Sequence, residues 1–348
     1  MLFSATGVLG LQRHGSEFYF ILRQGLSALM GVGLLLLFSK VRYQLWRKLA
    51  YPLIAIQILL VAATLFSGLG HHALGASRWL RIGSFGFQPS EIAKISFSIF
   101  VAHFLALRHE KTVSLKSWVW HTMPAVGLLI LIFKQPDLGT TALLSCISLG
   151  LFFISGTRLL YLFGFLGGGA ILFVVSMLHS EYRRRRLFAF LNPWADPQGS
   201  GFQTIQSFLS IHSGRWFGVG LGNGNSKLFY LPEVHTDFIF SLVGEELGFV
   251  GAILLLLLFV YFTYLLFRVS FQAKDPFACY LAFGLSLAIV LQIAINLGGV
   301  TGVVPVKGLT LPFISWGRSA LLVNLAMVGI LLNITKQSAI IEKPSTTT

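Results

Sequence analysis

Only twelve carboxylates occur in the chain. Glu91, Asp137, Asp237, Glu245 and Glu246 stand in or beside long apolar runs. An ionised group is costly there and normally faces a cavity or a partner. Asp237 closes a stretch rich in polar and basic groups and stands at a water boundary just before an apolar run. A carboxylate so placed reaches an aqueous substrate and suits the work of a general base. Its neighbours in Pro232-Glu233-Val234-His235-Thr236-Asp237 add Glu233 and His235. Metal ligation by that trio is the weaker reading, because no second histidine follows at helical spacing, so a metal is left unassigned. Glu91 and Lys94 are three apart at the start of a predicted helix and share a face. They either neutralise each other or frame a polar cavity. Asp137 in Gln135-Pro136-Asp137-Leu138-Gly139-Thr140 precedes another helix. Capping of free N–H groups is the simpler explanation for it, with a role in a site left open. At least one of Glu245 and Glu246, well inside a predicted span, must face the bundle interior.

Cations complement these acids. Arg78-Trp79 and Arg81 lead into Gln88-Pro89-Ser90-Glu91 and approach the Glu91/Lys94 face from outside, which suits a sugar or phosphate. An interfacial Trp flanked by snorkelling arginines reads equally well. The adjacent Arg183, Arg184, Arg185 and Arg186 call for an anionic partner, either a ligand or lipid head groups. Lys307 lies in Pro305-Val306-Lys307-Gly308-Leu309-Thr310-Leu311-Pro312, an irregular segment that reads as re-entrant. The glycine run 218–224 lacks dinucleotide-binding spacing and follows no predicted strand.

The elements that must position these residues are membrane helices. The 348 residues are 55% hydrophobic and 11% charged, with mean hydropathy +0.77. This predicts an all-α polytopic membrane protein, read as one domain over 1–348. Apolar runs at 18–38, 49–69, 89–107, 118–133, 138–156, 159–178, 237–267, 277–298 and 313–334 give nine complete spans, and residues 1–10 read as the stub of a tenth. Lys40, Arg42, Arg47, Lys48, Arg108, Lys111, Lys116, Arg158, Arg268, Lys274, Lys336 and Lys343 fall on one side. That side is expected to be cytoplasmic, with the C-terminus inside and a large 179–236 loop outside. Within that loop 192–197 is turn-rich and 203–211 has the apolar spacing of an interfacial helix. The net charge of +14 is spread in short clusters between spans, so membrane lipids rather than nucleic acid are the expected partners. Cys146 and Cys279 lie in apolar runs and offer no disulfide framework, and no cleavable signal is read at the start.

Several ordered strings resemble one family. Gly75-Ala76-Ser77-Arg78-Trp79, Gln88-Pro89-Ser90-Glu91-Ile92-Ala93-Lys94, Gln135-Pro136-Asp137-Leu138-Gly139-Thr140, Leu231-Pro232-Glu233-Val234-His235-Thr236-Asp237-Phe238-Ile239-Phe240 and Lys307-Gly308-Leu309-Thr310-Leu311-Pro312-Phe313-Ile314-Ser315 are similar to motifs of the SEDS family (shape, elongation, division and sporulation). The string Asp196 to Gln203 resembles its division branch more than its elongation branch. The resemblance implies about ten spans and a peptidoglycan glycosyltransferase that polymerises lipid II at the outer face of the bacterial cytoplasmic membrane. It also implies a class B penicillin-binding protein and other division proteins as partners, at the division site. By motif match Asp237 is the catalytic carboxylate, and Arg78, Trp79, Glu91, Lys94 and Asp137 are positions needed for activity. Inverting transfer needs a base for the acceptor's hydroxyl and cations for a pyrophosphate leaving group, with a divalent cation, Mg or Mn, as an admissible bridge. The chain departs from the family pattern at Ser315-Trp316-Gly317-Arg318-Ser319, where the bulky cation Arg318 stands in place of a small flexible residue, and its first span looks truncated. A transporter flipping the lipid-linked precursor, or a non-catalytic division scaffold, is the alternative.

Overall fold

The computed structural model describes residues 1–66, 70–73, 76–82, 85–110, 115–157, 159–178, 181–224 and 234–342. In chain order the helices are α1 (Leu2–His14), α2 (Tyr19–Lys40), α3 (Tyr43–Lys48), α4 (Ala50–Phe66), α5 (Pro89–Glu110), α6 (Leu115–Lys134) and α7 (Leu138–Ile154). They continue as α8 (Leu159–Leu178), α9 (Glu181–Leu191), α10 (Phe202–Ser213), α11 (Ile239–Gln272), α12 (Pro276–Val300) and α13 (Arg318–Glu342). Each apolar run of the sequence coincides with a helix, its ends moved by a few residues. Among the described residues five helices of at least 18 residues are long and apolar enough to cross a membrane, and α4 and α7 are apolar helices of 17 residues. The 13 residues of α1 reach about 20 Å at ~1.5 Å per residue, short of the roughly 30 Å of hydrocarbon.

Helix ends follow local chemistry. Pro89 and Pro276 occupy first helical positions, where a missing N–H costs nothing. Asp275 Oδ2 accepts from Ala278 N at 3.3 Å at the start of α12. Gly15, at φ 70°, closes α1 in the left-handed conformation that favours glycine. A small antiparallel sheet, which hydropathy did not anticipate, joins β1 (Gly70–Ala73), β2 (Ala76–Ile82) and β3 (Phe85–Phe87) in that order. Trp79 pairs with His71 and Leu80 with Phe87. Its strands are shorter than the window that detects a membrane span.

The chain divides into two compact units. One comprises Met1–Leu26, Arg158–Tyr261 and Leu291–Gly317; the other comprises Ser27–Thr157, Phe262–Val290 and Arg318–Thr348. In the second unit α4 packs on α5 and α6, α5 on α7, and α13 on α5 and α3, with the sheet against α4 and α5. Phe97, Phe100, Leu128, Ile132, Leu143 and Leu144 form its buried core. Small residues bring α2 and α13 together, since a Cβ on Gly31 would strike Leu325 and one on Gly329 would lie 2.6 Å from Leu35 O. Asn333 donates to Ser39 O at 3.0 Å and accepts from Tyr43 N at 3.0 Å, satisfying backbone groups at the adjoining ends of α2 and α3.

In the first unit α11 is broken at Gly248, with φ 68° and ψ −169°. A break in a membrane helix exposes backbone groups that must be satisfied from elsewhere. The segment 214–220 does this. Val219 N donates to Glu245 O at 3.0 Å and Gly220 N to Glu246 O at 3.1 Å, while Phe249 N donates to Arg215 O at 2.8 Å and Val250 N to Trp216 O at 3.1 Å. The turn at 193–195 is fixed by Asp196, whose carboxylate accepts from Ser200 N at 2.7 Å and Ser200 Oγ at 3.0 Å. The irregular reading of 305–312 holds, for residues 301–317 form turns, bends and backbone without regular secondary structure between α12 and α13. Exposed apolar faces carry Leu22, Leu29 and Leu36 on α2 and Leu254, Leu257 and Leu258 on α11, as lipid contact requires.

Candidate active site

The sequence-derived site residues fall into two constellations. In the first unit Asp237 lies two residues before α11, half-buried, and lines a cleft with Asn296, Lys307, Gly308 and Leu309. Gly308 has φ 68°, and a Cβ there would stand 3.5 Å from Asp237 Oδ2, so the bare backbone of this turn packs beside the carboxylate. His235, one residue removed from Asp237, is half-buried, its ring 6.3 Å from that of Phe20. Phe20 in turn meets Trp316 edge-on at 5.1 Å. Trp316, in the departing motif, is thereby packed against an aromatic neighbour, while the bulky departure itself, Arg318, is the first residue of α13.

Lys307 joins the same cleft from the α12–α13 connection. Burial lowers the pKa of its ammonium below the ordinary lysine value, and the positive charge of Arg186 acts in the same direction. The arginine run, read from sequence as part of a loop, is helical: it lies on α9, with Arg184, Arg185 and Arg186 exposed. Arg185 Nη2 pairs with Glu181 Oε1 at 2.6 Å one turn away. The side chain of Arg183 and all of Glu233 lie outside the described residues. Among the described residues no three His, Cys, Asp or Glu side chains converge as a metal site. Glu245 and Glu246, both buried, stand beside the break in α11, where Glu246 Oε1 accepts from Ser4 Oγ at 2.5 Å and Gly224 N at 3.4 Å.

In the second unit Lys94 is fully buried and its Nζ lies 2.6 Å from Glu91 Oε2. Asp137 caps α7, accepting from Thr140 N at 3.1 Å and Thr140 Oγ1 at 2.9 Å. It also accepts from Ser90 Oγ at 3.1 Å, which joins the start of α5 to the start of α7. Gln88 donates from Nε2 to Ser90 Oγ at 3.0 Å and from its backbone N to Ser319 Oγ at 3.2 Å. Arg78, on β2, donates from Nη2 to Pro136 O at 2.6 Å and from Nε to Gln135 O at 3.4 Å. Gln135 reaches Val61 O at 3.3 Å and also Thr64 Oγ1. Trp79, half-buried, follows Arg78 on the strand at a point where the pairing with β1 is irregular, His71 opposing Trp79 and His72 opposing Ser77.

The structure therefore brings Asp237 and Lys307 together, with Arg186 in electrostatic range, and separately brings Arg78, Glu91, Lys94 and Asp137 together; His235 does not line the cleft. Sequence reasoning missed Asn296, Ser315, Ser90 and Gln135. Ser90, Gln135 and Ser315 stand inside the family strings but received no role there, and Asn296 lies outside them.

Comparison with known proteins is consistent with this arrangement. The family model described as "cell cycle protein", covering FtsW, RodA and SpoVE, matches residues 1–340. A probable peptidoglycan glycosyltransferase FtsW from Geobacter metallireducens is 40% identical over 336 residues, 96% of this chain and 90% of the relative. Stage V sporulation protein E of Bacillus subtilis is 39% identical over 343 residues, 97% of this chain and 93% of its own length. A chain from a peptidoglycan synthase complex that coordinates polymerization and crosslinking superposes with TM-score 0.77 at 29% identity, covering 97% of this chain and 96% of that one. The rod shape determining protein RodA of Thermus thermophilus gives TM-score 0.67 at 28% identity, with coverage of 96% and 93%. The chain is thus a multi-pass membrane protein, and it belongs to the FtsW, RodA and SpoVE family.

Proposed function

We propose that this protein is a peptidoglycan glycosyltransferase that polymerises lipid II, with Asp237 as the base. The acceptor's sugar hydroxyl attacks the donor's anomeric carbon, the new C–O bond replaces the bond to pyrophosphate, and the hydroxyl proton passes to Asp237. Lys307, with Arg186 and its neighbours on α9, offsets the charge that develops on the leaving pyrophosphate. Arg78, Trp79, Glu91, Lys94 and Asp137 support activity as a second, buried polar constellation. The observation that carries this reading is the cleft that a half-buried carboxylate, Asp237, and a half-buried lysine, Lys307, line together.

Were a divalent cation, Mg or Mn, to take part, Asp237, the carboxylate that lines the cleft, would help to hold it, and the ion would supply further positive charge for the departing pyrophosphate. EDTA is then expected to slow polymerisation and added Mg or Mn to restore it; a rate indifferent to chelation removes the cation. The relatives named FtsW and the Asp196 to Gln203 string support a division role, in the bacterial cytoplasmic membrane with the C-terminus inside. The crosslinking complex among the similar structures supports a class B penicillin-binding protein as partner. The test is Asp237→Asn in the purified complex supplied with lipid II. Loss of glycan strands is expected, and wild-type synthesis by that variant contradicts the assignment.

A further inference from the structure

Three successive main-chain carbonyls in the segment that carries Asp237 are each captured by a donor from the α12 side of the cleft. Trp316 N donates to His235 O at 2.8 Å, Ser315 Oγ to Thr236 O at 2.5 Å, and Asn296 Nδ2 to Asp237 O at 2.8 Å. Ser315 Oγ also accepts from Leu311 N at 2.8 Å, so this hydroxyl too ties the segment to the 301–317 connection. Asn296 Nδ2 makes a second bond, to Leu309 O at 2.6 Å, two residues beyond Lys307. A carbonyl oxygen accepts only from a donor, so both bonds require the amide nitrogen and fix the orientation of the carboxamide. Asn296 is only 5% exposed. One nitrogen with two N–H groups thus bridges the backbone of the carboxylate-bearing residue and the turn that carries the cation.

We propose that Asn296 is a positioning residue for glycosyl transfer, holding Asp237 and the Lys307–Gly308 turn at a fixed spacing. The proposal rests on the reading of Asp237 as the base. Donor recognition through cations tolerates a small shift of the turn, whereas proton removal depends on the base lying within hydrogen-bond reach of the acceptor's hydroxyl. A misplacement of about 1 Å costs on the order of 100-fold in rate. Removing the amide should therefore lower kcat and leave KM nearly unchanged.

Gln292 provides an internal control. It is buried one turn earlier on α12 and donates to Thr310 O at 2.9 Å and to Thr310 Oγ1 at 3.2 Å. It makes the same kind of tie to the same connection, at Thr310. The experiment compares Asn296→Leu, Asn296→Gln, Gln292→Leu and Asp237→Asn in the full-length protein with its transpeptidase partner, recording lipid II polymerisation and thermal stability. Asn296→Leu should lower kcat by roughly 30- to 100-fold with KM within about threefold. Asn296→Gln, which keeps the carboxamide, should recover part of that loss. Gln292→Leu should lose similar stability but only about fivefold or less in kcat. Equal kcat losses in the two Leu variants, or a raised KM at wild-type kcat, overturn the proposal. If Asn296→Leu does not fold, Asn296→Ser, with a single donor, takes its place, and wild-type kcat there overturns it equally. Activity of Asp237→Asn sinks the base itself; an inactive Asp237→Asn beside a fully active Asn296→Leu sinks the positioning role alone.

Discussion

At the scale of single residues, the second constellation is governed by the cost of burying charge. Lys94 is 0% exposed, and its Nζ lies 2.6 Å from Glu91 Oε2, so the two groups are buried as a pair. Removing one partner of such a pair leaves an uncompensated buried charge, at about 3–5 kcal/mol, whereas replacing both by apolar groups is often near neutral. Glu91→Gln is therefore expected to destabilise the protein by a few kcal/mol. A Glu91→Leu/Lys94→Met double variant should be more stable than the single one, and comparison of their unfolding midpoints checks this. If the pair also supports transfer, the double variant stays inactive despite its recovered stability. Lys307 gives a second prediction. Its lowered pKa means that its positive charge is lost at lower pH than that of an ordinary lysine. The kcat/KM for lipid II should fall as pH climbs through that window, and Lys307→Arg, which stays charged, should flatten the fall. The charged members of the site were readable in sequence because an ion in an apolar run is conspicuous. Asn296 and Ser315 were not, because they are uncharged and their partners lie 59 and 79 residues away in the chain.

At the scale of elements, α11 shows how an irregularity is repaired inside a span. Its break at Gly248 uses backbone angles open essentially to glycine alone, and the donors and acceptors freed there are matched by residues 215–220. A Cβ on Gly248 would also lie 2.7 Å from Phe217 backbone atoms. Gly248→Ala should thus cost at least ~2 kcal/mol, seen as a fall in unfolding midpoint or in recovery of folded protein. A variant with wild-type stability would mean that the break is not a fixed feature. The nine apolar runs predicted their helices well, because a span must satisfy its backbone internally and so writes its length into composition. The break in α11 was hidden within one such run, since glycine is common in membrane helices and signals no angle by itself. The helical state of 181–191 was also hidden, because four arginines suppress the hydropathy on which the reading relied.

At the scale of the whole molecule, the family assignment and the two compact units set what can be tested. Asp237, Lys307 and Asn296 belong to one unit, and Arg78, Glu91, Lys94 and Asp137 to the other. The motifs identified the family because they are short, ordered and chemically loaded over nearly the full chain. The central claim is that this chain polymerises lipid II with Asp237 as the base. The most direct measurement incubates purified lipid II with the protein and the proposed class B penicillin-binding protein in detergent, with no membrane-separated compartments, and resolves the glycan strands by length. Wild-type protein should yield strands while Asp237→Asn, folded and still bound to its partner, yields none. Strand synthesis by Asp237→Asn at the wild-type rate would contradict the account.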